Sequence, residues 1–96
     1  MVMTITGAEI EGLVDDMPGV IFRDCLFDGC NIEGSLNGCS FDNCTFKFVD
    51  FMDSLHNAKF FDCRFKDCSF DQATTNEQTS FSECKFTGCT GVAWEV

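Results

Sequence analysis

The sequence predicts an all-β protein, a parallel β-helix with four short sides to each coil, and three observations carry this prediction. Between Val20 and Gly91 a large apolar position recurs in steps of five, five, four and five residues. Ten of the twelve Phe occupy this series, and all eight Cys stand two positions before one of its members. The intervening residues are rich in Gly, Asn and Asp, which tolerate the backbone angles of tight corners.

Each side is a five-residue unit, for example Cys44-Thr-Phe46-Lys-Phe48. A small residue and a large one flank a polar one, so the first and third side chains point to the same face of a short strand. Three such units and one four-residue side close a coil of nineteen residues. Repetition of this coil predicts about four coils stacked roughly 4.8 Å apart. The third coil is two residues longer, and its extra length predicts an outward loop within residues 71–80.

Stacking at this superperiod predicts an interior made of columns. The large residues align in three columns: Phe22, Phe41, Phe60 and Phe81; Phe27, Phe46, Phe65 and Phe86; and Ile32, Phe51 and Phe70. The small residues align in two more: Cys25, Cys44, Cys63 and Cys84; and Cys30, Val49, Cys68 and Cys89. Alternation of large and small residues allows a narrow tube to fill without voids.

On these units the chain resembles pentapeptide repeat proteins, whose pattern is small-(Asp/Asn)-(Leu/Phe)-x-x. Matching units are Cys25-Leu-Phe27, Cys30-Asn-Ile32, Cys44-Thr-Phe46, Ala58-Lys-Phe60, Cys68-Ser-Phe70 and Cys84-Lys-Phe86. The resemblance implies a right-handed quadrilateral parallel β-helix over residues 20–91. Some members of that family are similar in shape and charge to duplex DNA and occupy the DNA-binding saddle of type II topoisomerases. The resemblance therefore implies DNA mimicry as one expectation.

Residues 1–19 are predicted to form a cap over the first coil, with a short strand followed by a helix. Thr6 and Glu9 form a capping box, and apolar residues follow at helical spacing, namely Ile10, Leu13, Val14 and Met17. Pro18-Gly19 would end that helix. The alternative is one more, degenerate repeat, because Ala8-Glu-Ile10 also has the small-x-large pattern.

The eight Cys are interpreted as reduced, buried filler. Stacked thiols in parallel register have poor geometry for disulfides. Five-residue spacing sends neighbouring thiols to different sides of the tube, so no metal site is expected. The chain shows neither a signal-peptide pattern nor an apolar stretch of membrane-spanning length. These features predict a cytoplasmic protein.

The formal net charge is −10, from sixteen acidic and six basic residues. Such a charge disfavours direct binding of nucleic acid and favours a protein partner with a basic groove, although solubility alone also accounts for it. His56 is the sole His, no Ser or Cys has an identifiable base, and no phosphate loop is present. The chain is therefore predicted to be no enzyme and to need no cofactor.

The predicted activity is protein binding, with a small self-associating structural protein as the alternative. The candidate partner-facing residues belong to two groups. An acidic file of corner residues contains Asp24, Asp62 and Glu83, with Asn43 among them, and three apolar residues fall at outward positions, namely Phe48, Phe61 and Met52. An apolar C-terminal end at 92–96, with Val92, Trp94 and Val96, would either cover the tube or form an end-to-end dimer, the contact that the family resemblance favours.

Overall fold

A computed structural model describes residues 3–14 and 19–91, and this part of the chain consists of short β-strands joined by tight corners, with no helix. The strands are β1 (Thr4–Thr6), β2 (Glu9–Val14), β3 (Ile21–Arg23), β4 (Leu26–Ile32), β5 (Ser40–Asp42), β6 (Thr45–Lys47), β7 (Asp50–Phe51), β8 (Lys59–Phe61), β9 (Arg64–Lys66), β10 (Ser80–Ser82) and β11 (Lys85–Thr87). The chain winds through an N-terminal turn (3–14), coil one (20–38), coil two (39–57), coil three (58–78) and a final partial coil (79–91).

The coils stack as an all-β parallel solenoid of about four turns. Side one is the parallel sheet β1-β3-β5-β8-β10. Side two is formed by β6, β9, β11 and the first parts of β2 and β4. Side three contains the ends of β2 and β4, strand β7 and single bridges at Ser69. On side four, Leu36 N–H donates to the carbonyl of Ser54 at 3.0 Å.

The predicted columns form the core. Rings stack along the first column, with centroids 5.0 Å apart for Phe22 and Phe41 and 4.6 Å apart for Phe41 and Phe60. Neighbouring columns meet edge to face, as between Phe41 and Phe46 at 5.4 Å. Both arrangements suit the aromatic quadrupole. Every large residue of coils one and two in these columns is at most 1% exposed. The interior is therefore filled, and only the outward side chains can contact other molecules.

The corners use left-handed backbone conformations. Asp24, Asn43, Asp62 and Glu83 have φ between 55° and 56° at the corner between sides one and two. The next corner contains Gly29, Phe48, Asp67 and Gly88, again with positive φ. Gly, Asn and Asp tolerate this region, whereas a Phe there is unusual. The corner chemistry read from the sequence therefore matches the backbone.

The predicted N-terminal helix is wrong, because residues 9–14 are strand β2 in parallel register with β4. Glu9 pairs with Leu26 and Ile10 with Phe27, and the register shifts by a bulge before Gly12. The alternative, one more degenerate repeat, is the arrangement found. A helix this short is marginal by itself, whereas a strand satisfies the open edge of coil one. The N-terminal segment 3–14 is therefore a further turn of the solenoid, paired with coil one.

The lengthened part of coil three is partly paired. Thr74 bridges Ser54, and Leu55 N–H donates to the carbonyl of Thr74 at 2.7 Å. Asn76 Nδ2 donates to Asn57 Oδ1 at 3.0 Å, which continues a corner file. Residues 74 and 76 of the predicted loop therefore pair with side four of the preceding coil, while seven of residues 71–80 are exposed.

Candidate interaction surfaces

The surface of the solenoid is convex, and two shallow grooves lie on its first two sides. The groove on side one has a volume of about 340 Å³ and that on side two about 220 Å³. Outward side chains of neighbouring coils form their walls, including Arg23 and Lys59 on side one and Arg64 and Lys66 on side two. Such grooves suit peptide or protein side chains better than an enclosed substrate.

The predicted acidic file exists as a stacked row at the first corner. The row contains, in order, Asp24, Asn43, Asp62 and Glu83. It is aligned because the N–H of each of the first three residues donates to a carbonyl of the following coil. Asn43 Nδ2 donates to Asp24 Oδ1 at 2.8 Å. An amide therefore interrupts the row of charge, and only Asp62 and Glu83 are carboxylates in adjacent coils.

The six cations lie on sides one and two. Arg23 and Lys59 are on side one, and Lys59 Nζ donates to the carbonyl of Gln78. The other four occupy two adjacent columns of side two, namely Arg64 with Lys85 and Lys47 with Lys66. All six are exposed, so side two is locally basic in an acidic protein.

Sides three and four carry five carboxylates and no Lys or Arg, within coils one to three. The acids are Glu33, Asp50, Asp53, Asp71 and Glu77. Sequence reasoning overlooked this surface because it followed a single corner file. The signal was present in the positions of the cations, since residues 31–38, 50–57 and 69–78 contain none of them.

The three apolar candidates are placed on different parts of the solenoid. Phe48 is 61% exposed at the second corner, and Phe61 is 53% exposed on side one. Met52 is half-buried on side three. The structure does not bring them together as one patch. The remaining apolar candidates, Val92, Trp94 and Val96, lie outside the described residues.

None of the eight Cys forms a disulfide, and six of them are buried. Burial raises the pKa of Cys68 to about 12 and also raises the pKa values of Cys25 and Cys39. The pKa of Cys63 is raised first by hydrogen bonding with Cys44 and then by that with Cys84, in addition to burial. The pKa values of Cys44 and Cys84 are instead lowered, chiefly by hydrogen bonding with Cys63. A thiol held neutral is a poor nucleophile and a poor metal ligand, so the thiols with raised pKa values are suited to packing rather than to chemistry.

The remaining candidates for chemistry are the single His and any cluster of metal-ligating side chains. His56 is half-buried on side four. No cluster of three or more His, Cys, Asp and Glu in the described part is arranged to hold a metal ion. Residues 3–14 and 19–91 also contain no helix with the length and apolar character needed to cross a membrane.

Together these features define a class, a parallel β-solenoid built from five-residue sides with a Phe- and Cys-lined interior. The coil geometry confirms the pentapeptide-repeat architecture expected from the sequence. No protein-family model matches the chain, and no curated protein matches it in sequence. Among solved structures, it is similar to a trypsin-treated variant of QnrB1, a plasmid-mediated fluoroquinolone resistance protein. The identity is 16%, with a TM-score of 0.48, over 92% of this chain and 72% of that chain.

Proposed function

We propose that this chain is a non-enzymatic protein-binding module whose third and fourth sides bind a positively charged protein surface. The observation that supports the proposal is the segregation of charge. All six cations belong to residues of the first two sides, and within coils one to three the residues of sides three and four include five carboxylates and no Lys or Arg. One ammonium group, that of Lys59, reaches from side one to the carbonyl of Gln78. Complementary surface charge accelerates association and selects partners.

A negative net charge is consistent with both binding and solubility. The test therefore compares two variants that lose the same number of negative charges from different surfaces. One variant neutralises sides three and four with Glu33→Gln, Asp50→Asn and Glu77→Gln. The matched control neutralises the corner file with Asp24→Asn, Asp62→Asn and Glu83→Gln. Each set removes three negative charges, which changes the formal net charge from −10 to −7.

The probe is a fluorescent oligolysine peptide, and binding is followed by anisotropy at low and at high salt. We expect the variant of sides three and four to bind at least several-fold more weakly than the control, with a smaller salt dependence. Equal loss in both variants would assign the effect to net charge and contradict the proposal. Loss of peptide binding only in the corner variant would instead assign the binding surface to the acidic file.

A finer version of this function is mimicry of duplex DNA on a type II topoisomerase. The molecule is slightly elongated, with extents of 34 × 26 × 24 Å. Duplex DNA of that length carries about 20 negative charges, against a formal −10 for the whole chain. A DNA-like contact would thus involve sides three and four, with the basic side two turned away.

The same variants test mimicry in a DNA gyrase supercoiling assay. Inhibition that falls with salt and is lost on neutralising sides three and four would support it. No inhibition at about 100 µM, a concentration that would reveal even weak binding, would remove it and leave the general binding role. An end-to-end dimer through residues 92–96 remains a proposal, which sedimentation of a chain shortened by these residues would test.

A further inference from the structure

Side two reverses its charge along the solenoid. Its first outward column, read from the N-terminal turn to the final coil, is Glu9, Leu26, Thr45, Arg64 and Lys85. Its second column is Asp28, Lys47, Lys66 and Thr87, and Glu11 precedes Asp28 in the N-terminal turn. Acids occupy the N-terminal half of this side, and cations occupy the C-terminal half.

Within residues 3–14 and 19–91, no ion pair neutralises these charges. All seven charged side chains are exposed, and none of them takes part in an ion pair with another described residue. Even Asp28 and Lys47, which are cross-strand neighbours, do not make one. Side two therefore presents two separated, unpaired fields of opposite sign on one surface.

We propose that side two binds side two of a second copy of this chain, with the two solenoids antiparallel. The twofold axis runs parallel to the strands and passes between coils one and two. Each outward column of one copy then faces the same column of the other copy, in reverse order. The charged residues that then face each other across the interface are Glu9 and Arg64, Glu11 and Lys66, and Asp28 and Lys47. The symmetry repeats each pair, so all six N-terminal acids of the two copies meet cations.

The centre of this interface is uncharged, since Leu26 faces Thr45 beside the axis. Both are half-buried already, and their contact would remove further apolar surface from water. The groove of side two, which the stems of Arg64 and Lys66 line, lies within the surface covered by the second copy.

Other placements of the same two surfaces bring like charges together. A shift of the axis by half a coil toward the C-terminus sets Lys47 against Lys47 of the second copy. Parallel solenoids set every coil against itself with the two columns exchanged, so Arg64 would meet Lys66 of the second copy. Repulsion between like charges discriminates against wrong pairings, and only the antiparallel arrangement described above pairs all three acids.

The association should be weak and salt-sensitive. One side of a narrow solenoid is smaller than the roughly 800 Å² that each partner contributes to a standard interface. Both copies also carry a formal charge of −10, while exposed ion pairs weaken as salt screens them. The dimer leaves sides three and four exposed, so it does not depend on the function proposed above.

Sedimentation equilibrium of the full chain at low ionic strength tests the proposal. Arg64→Glu should weaken self-association at least about tenfold, because the symmetry turns two attractions into repulsions. The matched control, Arg23→Glu on side one, makes the same change in formal net charge, from −10 to −12, and should leave association within about twofold. The double exchange Glu9→Arg with Arg64→Glu keeps the net charge and should restore the dimer.

Three results would overturn the dimer. The first is a monomer at about 1 mM in low salt, where even weak association is visible. The second is equal weakening by Arg64→Glu and Arg23→Glu, and the third is failure of the double exchange to restore association while circular dichroism shows the native spectrum. Binding of a labelled polyglutamate peptide by a strictly monomeric chain, lost in Arg64→Glu, would instead assign the basic half to an acidic partner.

Discussion

The thiol of Cys63 donates a hydrogen bond to the backbone carbonyl of Phe41, at 3.4 Å across adjacent coils. Equivalent bonds run from Cys68 to Phe46 at 3.3 Å and from Cys84 to Phe60 at 3.4 Å. A carbonyl oxygen has two lone pairs, so it can accept this bond as well as one from a strand N–H. Cys therefore fills the small position and adds a contact between coils that Ala could not make.

Cys63→Ala should lower the free energy of unfolding by about 1–2 kcal/mol, because it removes a buried sulfur and a weak hydrogen bond. Urea unfolding followed by circular dichroism measures this change. Cys89→Ala is the control, since Cys89 makes a similar bond but is only half-buried at the last coil. Its expected cost is less than half as large, and equal costs would show that burial of the thiol columns contributes little.

Stability should fall as pH rises above about 8.5, the ordinary pKa of a thiol in an unfolded chain. Burial raises the pKa of Cys68 to about 12 and raises that of Cys39, so the unfolded chain releases these protons first. The contribution is complete below pH 8.5 and is lost progressively toward pH 12. The measurement is the urea midpoint at several pH values between about 7 and 10.

Cys68→Val is the control for this pH dependence, because Val49 occupies the same column. The variant lacks one of the titrating groups, so its midpoint should decline less steeply with pH. A wild-type midpoint that does not change over this interval would contradict burial of the thiols in the native protein.

Phe46→Ala should destabilise the protein by roughly 3–5 kcal/mol, the cost of truncating a fully packed aromatic side chain. Phe46 is 0% exposed and stacks on Phe27 and Phe65 at 4.6 and 4.8 Å. Phe48→Ala, two residues later and 61% exposed, should change stability by less than about 0.5 kcal/mol. Chemical denaturation compares the two, and similar losses would indicate that the inward and outward positions are wrongly assigned.

Phe48→Gly should stabilise the protein by about 0.5 kcal/mol. Phe48 has φ of 53°, a region that costs residues other than Gly roughly 1–2 kcal/mol, and this relief exceeds the entropic cost of Gly. Gly29 and Gly88 occupy the same corner in other coils. Thermal and urea unfolding measure the gain.

The control for this substitution is Phe61→Gly, at a Phe that is also exposed but lies within strand β8. There Gly brings no conformational relief and should cost about 0.5–1 kcal/mol. A loss of stability in Phe48→Gly as large as that in Phe61→Gly would show that the side chain of Phe48 makes a contact stronger than the backbone strain.

The repeat made most of the solenoid predictable, and the segment with a weak repeat was predicted wrongly. Cys39 to Phe51 follows the small-x-large pattern closely, and its strands lie where that pattern places them. At Ile10 the spacing of apolar residues suits a helix as well as a strand. The unpaired edge of coil one, a property of the folded chain, favours the strand.

The candidate surface was predicted less well than the core. Asp24 and Asp62 do share a corner, but Asn43 bonds to Asp24 and interrupts their charge. Outward residues are not constrained by packing, so the sequence pattern carries little information about them. Their significance depends on which residues of other coils lie beside them, and that relation is set by the register of the sheets.

From its period alone, the chain determines which side chains point inward, because only one alternation in a coil of nineteen residues turns the ten Phe of the repeat series and all eight Cys to the same face. The tertiary structure decided that the first residues continue the solenoid and that the cations belong to sides one and two, while sides three and four carry acids without Lys or Arg in coils one to three. Both results arise from neighbours that are distant along the chain. A coil edge selects the segment that pairs with it, and stacking brings residues nineteen positions apart into contact.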